Sequence, residues 1–131
     1  MYKETAVGTL EALGSRLTIS AEAAKAVYRG QAPNLAELAG TDLSNIRSGI
    51  LAKAIEAGDE VVEDIVRRAA EQIGRGIGSL VNVLAPDIVV IGGGLVEAMP
   101  KLYLSSTQKG AKRNVLPSLN CLLYTSPSPR D

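Results

Sequence analysis

VNVLAPDIVVIGGGLVEAMP, residues 81–100, is the stretch on which the fold turns. Pro86 ends the helix before it, because proline lacks a backbone N–H and clashes with the preceding turn. Ile88, Val89, Val90 and Ile91 are apolar at consecutive positions. A strand over about 87–91, apolar on both faces, is therefore expected to be buried in a parallel or mixed sheet. Gly92, Gly93 and Gly94 then remove three side chains in a row. A bare turn between a strand and a helix lets a ligand meet backbone N–H groups at the carboxyl end of the strand. A phosphate or nucleoside suits such a turn; the competing reading is a tight strand-to-helix connection that binds nothing. Two nucleotide motifs are excluded. Glu97 stands where GxGxxG needs its third glycine, and Leu95 follows Gly94 where a P-loop needs lysine.

Upstream, the pattern is helical. Residues 9–29 read as helical, with Ser20 a candidate cap of a second helix and Gly30 its stop. Residues 31–41 read as a loop holding Pro33 and Gly40, with one helical turn over Leu35 to Leu38. A helix over about 43–57 follows, opened by Asp42 or Ser44 and closed by Gly58. The longest helix runs from about Asp59 to Leu84, with a continuous stripe through Val62, Val66, Ala69, Ile73, Ile77 and Leu84. Glu63, Asp64, Arg67 and Arg68 are spaced for ion pairs on its solvated side. Gly74 and Gly78 share a face of it. Each costs roughly 1 kcal/mol against alanine, so a close backbone neighbour is expected to offset them. Downstream, Glu97 to about Gly110 reads as a helix with Pro100 in its first turn.

Composition narrows the function classes. Fourteen basic residues balance fourteen acidic ones, which argues against nucleic acid or a membrane surface as the main partner. With no Phe or Trp, the core must come from Ala, Val, Ile and Leu. One Cys and no His exclude a disulfide framework and a His/Cys metal centre. No secretory leader opens the chain and no apolar run is long enough to span a membrane. A cytoplasmic protein is the expectation.

The last eleven residues, CLLYTSPSPRD, break with all that precedes them. They match, residue for residue, one reading frame of a transposase sequencing adaptor. Residues 121–131 are thus expected to be an artefactual tail outside the fold, leaving residues 1–120 as the natural part. A single buried strand has no partner in those 120 residues. The expectation is α/β architecture with most of its sheet elsewhere, in a chain cut at both ends.

The run Gly76-Ile77-Gly78, Asn82, Ala85-Pro86, Ile88 to Ile91 and Gly92-Gly93-Gly94 resembles the ROK family of sugar kinases and repressors. There a glycine-bearing helix, Asn-x-x-x-Pro, a strand and Gly-Gly-Gly occur in this order. Gly8-Thr9-Leu10-Glu11-Ala12, followed by Ser15, is similar to the family's Gly-Cys-Leu-Glu-Ala and its nearby Ser. The resemblance spans nearly all of residues 8–119 and implies a fragment of an actin-like ATPase (ribonuclease H-like) fold, mostly helical, forming part of a C-terminal sugar-kinase domain. It implies that Glu11 contacts sugar hydroxyls and that Gly92, Gly93 and Gly94 line an ATP site. By itself, Glu11 reads equally as a solvated carboxylate at a helix end. The implied activity is phosphoryl transfer from ATP, with magnesium, to a hexose such as glucose; polyphosphate is an alternative donor. A homodimer is also implied. The family's zinc motif places Tyr2, Glu4 and Thr9 at its cysteine positions, so no zinc is expected. Its Asp-x-Gly-Gly-Thr phosphate motif and catalytic Asp are absent from these residues. No catalytic residue is assigned, and the fragment is expected to be inactive alone. Two other readings stay open: the sugar-sensing domain of a ROK-type repressor, which alone would bring DNA as a partner, and a non-enzymatic interaction module.

Overall fold

Ser15 opens a helix that runs on through Ser20, without the second start expected there. Its hydroxyl accepts from the Thr18 backbone N–H at 3.2 Å, which satisfies one of the donors a helix start leaves over. In this computed structural model, which describes residues 14–40, 42–116 and 122–125, that helix is α1, Arg16–Tyr28. The Ser20 hydroxyl instead donates to the Ile46 carbonyl at 3.0 Å.

Where a loop with one helical turn is expected, the chain forms α2, Pro33–Ala39. Its cap is not local. The buried Asp59 carboxylate accepts from Leu35 N at 2.7 Å and from Asn34 N at 3.3 Å. The Asn34 amide adds a bond at 2.8 Å. A carboxylate at a helix start is favourable, and here it arrives from far along the sequence. The next helix starts later than 43. Leu43–Asn45 form a 3-10 turn, held because Asp42 accepts from Ser44 N at 3.0 Å and Ser44 Oγ at 2.7 Å. α3 then runs Ser48–Glu56.

α4, Glu60–Leu84, is the long helix expected, and Ala85 ends it in the left-handed region at φ 46°. Arg67 pairs with Glu63 and Arg68 with Asp64 along its outer side. After β1, Ile88–Ile91, the expected single helix is two: α5, Gly94–Ala98, and α6, Pro100–Lys112. The break is Met99, at φ −139° and ψ 60°. A residue before proline is pushed out of helical geometry, so Pro100 starts a new helix instead of sitting inside an old one.

α4 and α6 cross at backbone distance. A Cβ on Gly74 would collide with the Thr107 carbonyl, and one on Gly78 would lie 2.7 Å from the Ala111 carbonyl oxygen. From the other side, Gly110 rests on the Glu71 carbonyl. The close neighbour expected for Gly74 and Gly78 is therefore α6. Across the same crossing, Glu71 faces Lys109 at 3.3 Å and Arg113 at 3.5 Å. Asn82 fastens the far end: its amide donates to Asn114 O at 2.6 Å and its carbonyl accepts from Leu116 N at 2.9 Å.

The sheet departs from expectation in two ways. β1 has a partner: β2, Leu122–Thr125, runs parallel to it, with Ile88 opposite Leu122 and Ile91 opposite Thr125. That segment belongs to the tail expected to lie outside the fold. The physical reason is the exposed edge of β1, whose unpaired N–H and C=O groups accept an extended segment, and Leu-Leu-Tyr-Thr is a favourable strand sequence. β1 is also not buried on both faces. Ile91 packs against the core, but Ile88 and Val90 are 53% and 60% exposed. Among the described residues, helices cover one face only. Leu80, Val83 and Leu84 at the end of α4, with Leu116, are exposed as well. The core itself is Ile19, Leu35, Leu51, Val62 and Val66, with alanines between helices and Met99 and Tyr103 at its rim. Among the described residues no helix is long and apolar enough to cross a membrane.

Candidate functional site

β1 delivers Ile91 to the rim of the core, and the chain must then reverse into α5. Gly93 makes that reversal at φ 109° and ψ 172°, a conformation that side-chain-bearing residues rarely adopt. A Cβ there would meet nothing within 4 Å. Gly93 is therefore bare for its backbone angle, and it faces open space. Gly94 is bare for a different reason. A Cβ on it would lie 3.1 Å from the Ser48 hydroxyl oxygen, so its absence lets α3 approach the turn.

The open space is a cleft of about 300 Å³ floored by Gly92, Gly93 and Gly94. Four elements close around it. α1 contributes Arg16, α3 contributes Ser48, α5 contributes Leu95, and α6 contributes Tyr103. Tyr103 is buried but for this opening. Burial pushes its phenol above the ordinary value, because the phenolate would lose its hydration. At neutral pH the hydroxyl is therefore a hydrogen-bond donor. The cleft thus combines exposed backbone, an apolar wall, two neutral hydroxyls and one guanidinium.

A larger cleft, about 350 Å³, lies between α1 and α4 and includes Ile19, Glu22, Ile65 and Arg68. It contains none of the glycine turn. Its carboxylate, Glu22, is held below the usual range by its hydrogen bond to Lys25. The smaller cleft is the better candidate because glycines, hydroxyls and a cation converge there.

Of the residues singled out from sequence, Gly92, Gly93 and Gly94 stand together in this cleft. Glu11 lies outside the described residues. Arg16, Ser48 and Tyr103 were not singled out. Tyr103 carries a faint sequence signal, as one of only four tyrosines in a chain without Phe or Trp. Arg16 and Ser48 carry none, since packing alone brings them to the turn.

Open backbone at Gly93, with Ser48, Tyr103 and Arg16 around the same cleft, suits an anionic ligand group such as phosphate. Among the described residues there is no group of three or more His, Cys, Asp or Glu side chains placed to hold a metal ion.

Residues 10–121 match the ROK family. The chain belongs to the ROK family. The match includes the glycine turn and position 11, and it stops short of β2. Two solved structures share the ROK fold with it. A ROK family glucokinase from Streptomyces griseus, in complex with glucose and AMPPNP, is 22% identical with a TM-score of 0.77, over 92% of this chain and 40% of that one. A ROK family transcriptional regulator, a homologue of the E. coli MLC protein, is 21% identical with a TM-score of 0.66, over 95% of this chain and 30% of that one. The chain thus spans well under half the length of either. A comparison with curated proteins gave no match.

Proposed function

We propose that this ROK chain is the nucleotide-seating part of a sugar kinase that moves a phosphoryl group from ATP to a hexose such as glucose. The observation that carries the reading is Gly93, held at φ 109° with open space where a side chain would be. A tight connection that binds nothing needs the backbone angle but not the adjoining cleft of about 300 Å³. ATP, accompanied by magnesium, supplies the phosphoryl group. The chain's own residues bind and orient. Backbone at Gly92–Gly94 takes the nucleotide, Leu95 gives it an apolar wall, and the Tyr103 hydroxyl donates a hydrogen bond. Glu11 orients the sugar hydroxyl as an acceptor. Transfer needs positioning and charge neutralisation beyond these groups, so the 131 residues are inactive on their own. The working protein is a cytoplasmic kinase, possessing no zinc and acting as a homodimer.

The regulator reading is supported by the same fold, through the likeness to the ROK transcriptional regulator. The open glycine cleft favours the kinase, because sugar sensing alone has no use for it. The test is an assay of the complete protein with ATP, magnesium and a panel of hexoses, following sugar phosphate directly. Phosphorylation of glucose or a close epimer supports the kinase. Sugar binding without phosphoryl transfer, together with sugar-dependent DNA binding, would replace it with the regulator.

A further inference from the structure

All four residues of β1, Ile88, Val89, Val90 and Ile91, are β-branched, and such side chains favour extended backbone. Both ends of the strand are fixed. Ala85 turns the chain toward it at φ 46°, and Gly93 turns the chain away from it at φ 109°. Ile91 packs on the core. A strand held extended in this way loses little further freedom when a partner arrives. Its edge also lacks the usual protection. Sheet edges are commonly blunted by lysine, proline or an inward-pointing charge, and none stands between Ile88 and Ile91. Ile88 and Val90 are exposed, which offers apolar surface to whatever lies alongside. The partner present, Leu122–Thr125, pairs in parallel over all four residues. It lies outside the match to the ROK family, which ends at residue 121. A segment from beyond the family pattern therefore fills the place, and a ladder between backbones joins it there.

We infer that the edge of β1 is a strand-acceptor site for an extended apolar peptide, joined through main-chain hydrogen bonds and tolerant of the peptide's sequence. Leu122–Thr125 is one occupant of that class, supplied by the chain itself after α5 and α6 carry it back to β1. Every residue except proline brings both an N–H and a C=O to a ladder. The site therefore selects extended backbone and rejects proline, and particular side chains matter less. The glycine cleft has no part in this recognition.

The test is amide hydrogen exchange of the full chain, read by NMR across Ile88–Ile91 and across α4. Neighbouring strand residues point their N–H groups to opposite sides, so one of Leu123→Pro and Tyr124→Pro must remove a ladder donor. In that variant β1 is expected to exchange roughly tenfold faster or more, with α4 unchanged. Unchanged β1 exchange in both proline variants would overturn the inference. The combined variant Leu122→Val, Leu123→Ile, Tyr124→Val should exchange as wild type does, because its ladder survives. Exchange as fast as in the proline variant would mean that side chains decide, and tolerance of sequence would be wrong. A synthetic peptide with the sequence of residues 121–131 is then added to the proline variant. Saturable return of protection to β1 is expected, with none from a peptide carrying both prolines. No return with the first peptide overturns the acceptor site. Light scattering by the proline variant should fall as the peptide is added. Scattering that the peptide leaves unchanged assigns the edge to a second copy of the chain and overturns the inference too. Matching circular dichroism melts would show that the variants are folded.

Discussion

Gly93 sits at φ 109° with nothing within 4 Å of where a side chain would begin. Gly93→Val in the complete protein therefore meets no steric wall, only backbone strain of about 1–3 kcal/mol. Its branched side chain would project into the cleft. The expected outcome is a rise in the ATP KM far larger than any rise in the sugar KM, measured in one set of initial-rate experiments. Equal rises would count against nucleotide seating at this turn. Tyr103 gives a second test, in this chain. Its phenol is raised by burial, so the folded chain holds the proton more tightly than the unfolded chain does. Its share of stability is complete below the unfolded value of about 10 and is lost as pH rises through the folded value. Tyr103→Phe should flatten the fall in melting temperature above about pH 10 relative to wild type; parallel curves would deny the shift. The two residues differ in how they could be read from sequence. Three consecutive glycines after Ile91 announce themselves. Tyr103, Arg16 and Ser48 do not, because each reaches the cleft from a different helix.

Among the elements, the crossing of α4 and α6 was legible and the full extent of α2 was not. Gly74 and Gly78 lie one turn apart in a long amphipathic helix, and a glycine pair there makes sense only against a close neighbour. Pro33 at the first helical position is the one local start signal, and no side chain next to it caps the helix, because the capping carboxylate is Asp59, at the head of α4. A local reading cannot see a cap that arrives through tertiary structure. The same contrast sets the sign of alanine substitutions. Gly74→Ala should improve helix propensity by roughly 1 kcal/mol, yet its Cβ meets the Thr107 backbone carbonyl, which cannot rotate away. Overpacking of that kind costs about 1–3 kcal/mol or more. Net destabilisation is expected, and Gly110→Ala, against the Glu71 carbonyl, should behave alike. Gly49 in α3 has nothing within 4 Å, so Gly49→Ala should stabilise the chain, by up to about 1 kcal/mol. Urea denaturation of the three variants checks this. If all three are stabilised, propensity rather than the crossing decides, and backbone contact between α4 and α6 is wrong.

For the whole molecule, the helices and the sheet stand on different footings. The helical layer is closed by its own core, from Ile19 and Leu35 to Val62 and Val66. Among the described residues the sheet is two strands, and one of them, Leu122–Thr125, lies beyond the end of the family match at residue 121. β1 was expected to be buried between layers. Its Ile88 and Val90 are open to solvent, in a chain that covers 40% of the glucokinase it resembles in fold. The run of consecutive apolar residues was read correctly as a strand, but how deeply a strand is buried depends on layers that its own sequence does not encode. This divides the consequences of deleting residues 121–131. The α4–α6 crossing is held by Glu71 between Lys109 and Arg113 and by Asn82 fastened to Asn114 and Leu116, none of them in the tail, although α6 also touches β2. The melting transition of the shortened chain should therefore shift by only a few degrees, on the order of 1 kcal/mol. β1 should respond far more. Its amides lose their partners, so hydrogen-exchange protection across Ile88–Ile91 should collapse while that of α4 persists. An unpaired apolar edge is also a template for another chain, so light scattering should rise with concentration in the shortened form. If instead α4 loses protection together with β1, the tail strand is an integral part of one cooperative fold, and residues 1–120 do not define the structured unit.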